Sequence, residues 1–148
     1  MMARRPTIIL LVEDSPTDVE ITRRALTPSK LPVSLHVCRD GEEALDFLHR
    51  RGPFAESPRP HLILLDLNLP KVGGLEVLSA IKLDEDLKVI PVIVLSTSES
   101  DDDIEQSYRL GVNSYFSKPT EFAAYRRLLH DVERYWAELA KLPHCAST

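Results

Sequence analysis

Short apolar runs alternate along the chain with longer stretches in which apolar residues recur three or four positions apart. Five runs have strand length, at residues 7–12, 34–38, 62–66, 92–96 and 114–116. Three of them are almost purely aliphatic, the composition of strands covered on both faces in a parallel sheet. Helix starts are legible between them. Ser15-Pro16-Thr17-Asp18 reads as a capping residue, a proline at the first helical position and an acid in the first turn. Asp40-Gly41-Glu42-Glu43 and Ser100-Asp101-Asp102-Asp103 put acids where a helix dipole favours them. Gly73 and Gly74 precede a helix carrying Leu75, Leu78 and Ile81, and Gly111 closes the helix that holds Ile104. The strand–helix alternation predicts an α/β protein, a parallel sheet with helices on its faces.

A length of 148 residues suits one such unit and leaves little room for a second. The expectation is therefore a single domain over 1–148, with its core at about 7–141 and short tails. The Pro-rich segment 52–60 (GPFAESPRP) reads as a loop, since strand signals flank it, and residues 144–148 read as a frayed tail. Composition adds mainly exclusions. Hydrophobic residues at 43% and charged residues at 28% fit a soluble globular chain. A net charge of −5 argues against a nucleic-acid surface, and the basic pairs, such as Arg23 with Arg24, are short and scattered. No apolar run approaches bilayer length and no signal-peptide core is present, so no membrane partner is expected. Two cysteines, Cys38 and Cys145, have no paired spacing, which favours a reducing, cytoplasmic setting.

In open α/β sheets chemistry gathers at the carboxyl ends of the strands. Those ends carry Glu13 and Asp14 after the first strand, Asp66 closing the third, Ser96 closing the fourth and Lys118 just beyond the fifth. Crowded carboxylates repel one another, and a hard dication with oxygen ligands, such as magnesium, relieves that repulsion. A lysine and a hydroxyl facing the metal are what a transferring phosphoryl group requires, and Asp66 can serve as the nucleophile. Taken singly, each residue has a plainer reading as a helix-start acid or a loop cap. Nothing in a plain fold requires their conjunction at successive strand ends.

The segments LLVEDS, LLDLNLPKVGG, VIVLST and NSYFSKP resemble the receiver domains of two-component response regulators, over roughly residues 7–141. The resemblance implies a doubly wound, flavodoxin-like sheet of order 2-1-3-4-5. It implies that Asp66 accepts the phosphoryl group and that Glu13, Asp14, Asp66 and the Asn68 carbonyl hold magnesium. Ser96 and Lys118 would then contact the phosphoryl oxygens. Tyr115 would be the aromatic switch, and the Lys118–Pro119 bond would be cis. It further implies a sensor histidine kinase as partner, a signalling rather than enzymatic role without an output domain, and a response at the face of the last strand and its flanking helices. The long loop, the Trp-containing end and the terminal KLP resemble the single-domain regulators of bacterial phytochrome kinases.

The last helical stretch carries Phe122, Tyr125, Leu129, Val132, Trp136 and Leu139 at alternating spacings of three and four, one apolar seam supplemented by Leu128 and Tyr135. Its first half should pack on the sheet, leaving Trp136 and Leu139 exposed on an extended C-terminal helix. Such a stripe points to a homodimer through that helix. Two other readings compete: a magnesium-dependent phosphatase passing through an aspartyl phosphate, and an interaction module independent of phosphorylation. The phosphatase would want an acid two residues after its nucleophile, and Asn68 cannot protonate a leaving group.

Overall fold

A computed structural model describes residues 5–26 and 32–143. In chain order the elements are β1 (Thr7–Val12), α1 (Pro16–Leu26), β2 (Val33–Cys38), α2 (Gly41–His49), β3 (Leu62–Leu65), α3 (Gly74–Leu83), β4 (Val92–Ser96), α4 (Asp101–Arg109), β5 (Ser114–Ser117) and α5 (Phe122–Glu133). The five strands form one sheet of order β2-β1-β3-β4-β5, all pairs parallel. The parallel sheet is the one expected from the alternation, and its order is the doubly wound one that the receiver resemblance implies. The tail at 144–148 lies outside the described residues. The Pro-rich segment 52–60 is a loop that begins with a 3₁₀ turn, Gly52–Phe54.

The capping residues act as their chemistry dictates. The Ser15 hydroxyl accepts from the Asp18 amide at 3.2 Å, and Asp40 accepts from the Glu43 amide at 2.8 Å. The central strands β3 and β4 are buried along their whole length, which is why their sequences carry no polar alternation.

Each face of the sheet has its own core, set by strand parity. Leu10, Val12, Ile63, Leu65, Val92 and Val94 point toward α2 and α3, where Phe47, Val77, Leu78 and Ile81 meet them. Ile9, Leu11, Leu62, Leu64, Ile93 and Leu95 point the other way, against Val19 and Ala25 of α1 and Tyr125, Leu129 and Val132 of α5.

The structure differs from expectation at the C-terminus and at one peptide bond. Phe122, which should have packed on the sheet, is the first residue of α5 and is 54% exposed. Beyond Glu133 the chain continues as a π-helical segment, Arg134–Leu139, closed by the Ala140 amide donating to the Tyr135 carbonyl at 2.7 Å. Its wider turns shift the three-and-four seam out of line. Trp136, expected to be exposed, packs partly buried against the α1/α5 core, while Leu139 is exposed as expected and Tyr135 joins it outside. No cis peptide occurs among the described residues, so the Lys118–Pro119 bond is trans, the ordinary isomer.

Candidate functional site

The strand register brings the polar residues together. Val12 pairs with Leu65 and Ser96 with Ser117, so Glu13, Asp66 and Lys118 each follow directly on a paired strand end. The Asp66 amide donates to the Val12 carbonyl at 3.0 Å, and the Lys118 amide to the Ser96 carbonyl at 2.8 Å, carrying the ladder one residue further. Parity then sorts the side chains. Glu13 continues the series Ile9, Leu11; Asp66 continues Leu62, Leu64; Lys118 follows Phe116. All three therefore belong to the α1/α5 side of the sheet. Ser96 continues Val92, Val94, and Tyr115 packs on the opposite core, so these two belong to the α3 side.

Lys118 sits at the centre with a side chain only 5% exposed. Its ammonium donates to Glu13 Oε1 at 2.5 Å, Asp18 Oδ2 at 2.9 Å and Asp66 Oδ2 at 3.2 Å, which uses all three of its protons. Asp66 is held from its other oxygen too, since the Asn68 amide donates to Oδ1 at 3.1 Å. The Asp66 carboxylate is thus fixed in orientation.

Burial pushes the Glu13 carboxyl up to about 7, with the Asp66 charge adding to the rise and Lys118 opposing it. Burial pulls Lys118 down, but its bond to Glu13 and the nearby charge outweigh that, holding the ammonium above its ordinary value.

Glycine shapes the floor of the site. A Cβ on Gly74 would lie 2.4 Å from Leu67 Cα and 2.5 Å from the Asp66 carbonyl oxygen. A Cβ on Gly41 would lie 2.0 Å from the Val72 carbonyl oxygen. Any side chain at either position would displace the loop that follows Asp66.

Carboxylate oxygens of Glu13, Asp14 and Asp66 all lie within 4.8 Å of one another. Glu13 and Asp66 are buried and Asp14 is exposed, leaving one side of the group open to solvent. The donor set is oxygen only and anionic, which suits a hard divalent cation and not a soft one. Asn68, expected to contribute its carbonyl, lies beside the group with its side-chain amide 3.3 Å from the Thr97 hydroxyl.

Ser96 is fully buried, and its hydroxyl accepts from the Ser98 amide at 3.1 Å. The Tyr115 hydroxyl donates to the Ser98 carbonyl at 2.8 Å. Ser96 and Tyr115, the hydroxyl and the aromatic switch that the resemblance implies, are thus joined through Ser98, which sequence reasoning passed over. Ser98 also donates its hydroxyl to Asp103 at 2.6 Å, tying the loop to the first turn of α4. From the sequence Asp18 is only a first-turn acid. The available signal is its spacing, four and seven residues before Thr22 and Ala25, in register with one face of α1.

A five-stranded parallel sheet of order β2-β1-β3-β4-β5, with a buried lysine–carboxylate cluster and a group of three carboxylates at its carboxyl edge, is the architecture of a receiver domain. The chain belongs to the response regulator receiver domain family, whose model matches residues 9–130. It is 46% identical over 138 residues to the response regulator Rcp1 of Synechocystis sp., covering 93% of this chain and 94% of the relative. Its structure is similar to that of the phosphorylated cyanobacterial phytochrome response regulator RcpA, at a TM-score of 0.93 and 44% identity, covering 95% of this chain and all of that one. It is also similar to the Mn(2+)-bound form of Rcp1, at a TM-score of 0.92 and 45% identity, covering 94% of this chain and all of that one.

Proposed function

We propose that this chain takes a phosphoryl group from the phosphohistidine of a sensor histidine kinase onto Asp66, and that the kinase is of the bacteriophytochrome type. The orientation of Asp66 carries the reading: a buried carboxylate bonded at both oxygens, one of them to a buried ammonium. In the transfer a carboxylate oxygen of Asp66 bonds to phosphorus, the phosphorus–nitrogen bond breaks, and its electron pair stays on the imidazole. Lys118 neutralises charge on the phosphoryl oxygens as it moves. The carboxylates of Glu13, Asp14 and Asp66, with the Asn68 carbonyl, would hold a magnesium ion, which supplies further neutralisation of the phosphoryl oxygens. Hydrolysis of the acyl phosphate returns the carboxylate, so the chain acts on itself alone and is a switch rather than an enzyme.

After transfer the Ser96 hydroxyl turns to a phosphoryl oxygen, which removes the acceptor of the Ser98 amide. Tyr115 bonds the carbonyl of that same residue, so the movement reaches the face of α4, β5 and α5. The resemblance to RcpA and Rcp1 supports the phytochrome assignment. Tyr108 of α4, Phe122 of α5, and Tyr135 and Leu139 of the segment beyond it are all more than half exposed, which favours a homodimer through the C-terminal helix region.

The test is labelling with acetyl phosphate and magnesium, followed by intact mass. Wild type gains one phosphoryl group and Asp66→Asn gains none; a labelled Asp66→Asn protein removes the reading. Transfer from a bacteriophytochrome kinase, set against a panel of other histidine kinases, tests the partner. For the dimer, sedimentation of the Tyr135→Ala/Leu139→Ala double variant should give the monomer mass where wild type gives twice that.

A further inference from the structure

Lys118 is held by a residue that the reading above leaves without a task. We propose that Asp18 is a positioning residue for phosphoryl transfer: it anchors the Lys118 ammonium from α1 while the lysine's bond to Asp66 is exchanged for one to the phosphoryl group. The proposal rests on Asp66 being the phosphoacceptor.

The three bonds to Lys118 Nζ are unequal. The one to Asp66 is the longest, at 3.2 Å, and ends on the carboxylate that must change its bonding when it is phosphorylated. The bond to Glu13 ends on a residue that also belongs to the cation-type group. Only Asp18, at 2.9 Å, lies outside both the acceptor and that group, so its bond alone can stay unchanged through the reaction. Its backbone is fixed on both sides. The Asp18 amide donates to the Ser15 hydroxyl at 3.2 Å, and the Thr22 hydroxyl donates to the Asp18 carbonyl at 2.9 Å. Thr22 is itself fully buried, which seats this turn of α1 against the sheet. The carboxylate is therefore presented to Lys118 from a rigid mount, the arrangement that keeps a charged group within the narrow geometry a transition state needs.

A lysine that stabilises charge on the moving phosphoryl group does so for its arrival and its departure alike. Loss of the anchor should therefore slow both steps and leave the steady-state level of labelled protein nearly unchanged. The experiment follows full-length wild type, Asp18→Ala and Asp18→Asn with acetyl phosphate and magnesium, then follows decay after the donor is removed. Asp18→Ala is expected to lose about tenfold in each rate, equivalent to one broken positioning contact. Asp18→Asn keeps an oxygen that accepts from Lys118 and should recover most of the loss. Ala25→Gly, which weakens the same helix away from Lys118, should lower the melting temperature and keep both rates within twofold of wild type. If Asp18→Ala does not fold, Asp18→Ser removes the same reach and takes its place. Rates of the Ala or Ser variant within twofold of wild type, or faster, overturn the proposal. Absence of labelling in wild type overturns the phosphoacceptor reading instead, so the two failures are distinct.

Discussion

The carboxyl edge of the sheet and the far end of the C-terminal helix are organised by opposite means. At the edge every proton of Lys118 is committed to a named oxygen, and strand parity puts Lys118, Glu13 and Asp66 on one side of the sheet. At the end of the helix the apolar residues obey no such direction. Trp136 turns inward, its ring edge-on to Tyr135 at 5.2 Å between centroids, while Tyr135 and Leu139 remain outside. Hydrogen bonds and charges specify geometry; apolar area specifies only that it be covered, and a small change in helical pitch redistributes which side chain does so.

The sharpest way to break this comparison is to remove the centre of the edge. Lys118→Met leaves Glu13 and Asp66 buried, and Asp18 half-buried, without their shared cation. Removing one partner of a buried ionic cluster costs about 3–5 kcal/mol, and urea unfolding at neutral pH in a chelator should show a loss of that size. A loss below about 1 kcal/mol would mean that the cluster does not organise the edge. Lower pH should restore part of the stability, because protonation takes over the neutralisation.

That difference in organisation also decides what the sequence discloses. Strands and helix starts are local, so the runs at 7–12 and 62–66 and the caps Ser15 and Asp40 are legible from neighbours alone. Glu13, Asp66, Ser96 and Lys118 are legible because a parallel sheet aligns successive strand ends. Asp18 and Ser98 are not, because each acts on a partner that only packing brings near: Asp18 across 100 residues to Lys118, and Ser98 across 17 to Tyr115. Gly41 is similar, since its need for a bare Cα comes from Val72 on another loop. The apolar seam fails for a different reason. A period of 3.6 is assumed in drawing it, and the π-helical segment departs from that period.

A second test concerns Glu13 in protein free of divalent cation. Its carboxyl is held near 7 in the fold and about 4.5 when unfolded. Between those values the folded state binds the proton more tightly, so stability is greatest below pH 4.5 on this account and falls as pH rises toward 7. Lys118 is charged in both states across that window and adds no slope. The difference between wild type and Glu13→Gln isolates the effect, expected on the order of 1–3 kcal/mol over the window in urea unfolding with chelator. A saturating divalent cation, which requires the carboxylate, should flatten or reverse the slope. A difference that is flat with pH in chelator would show that Lys118 offsets the burial of Glu13 completely.

The far end of the helix should respond in the order of burial and not in the order of the seam. Trp136→Ala should cost about 2 kcal/mol, since the ring packs partly buried on the α1/α5 core, whereas Leu139→Ala should stay within about 0.5 kcal/mol in the isolated chain. Measured at a concentration low enough to hold the protein monomeric, equal losses would restore the continuous seam and contradict the observed pitch.

The smallest expected effect joins the two regions. Tyr125 stands on α5 beneath the edge, 3% exposed, and its hydroxyl is buried with no hydrogen-bond partner among the described residues. Burial pushes that hydroxyl up to about 12; the Lys118 charge and the nearby Thr22 side chain, which falls short of good hydrogen-bond geometry, oppose the rise, and Asp18 and Glu13 add to it. The hydroxyl therefore feels the charges of the edge while bonding to none of them. An unsatisfied buried hydroxyl costs stability, so Tyr125→Phe should leave the ring's packing intact and raise stability by about 1 kcal/mol. If the variant instead loses stability, Tyr125 contributes a bond to the edge, and the division between a polar edge and an apolar helix would have to be redrawn at this residue.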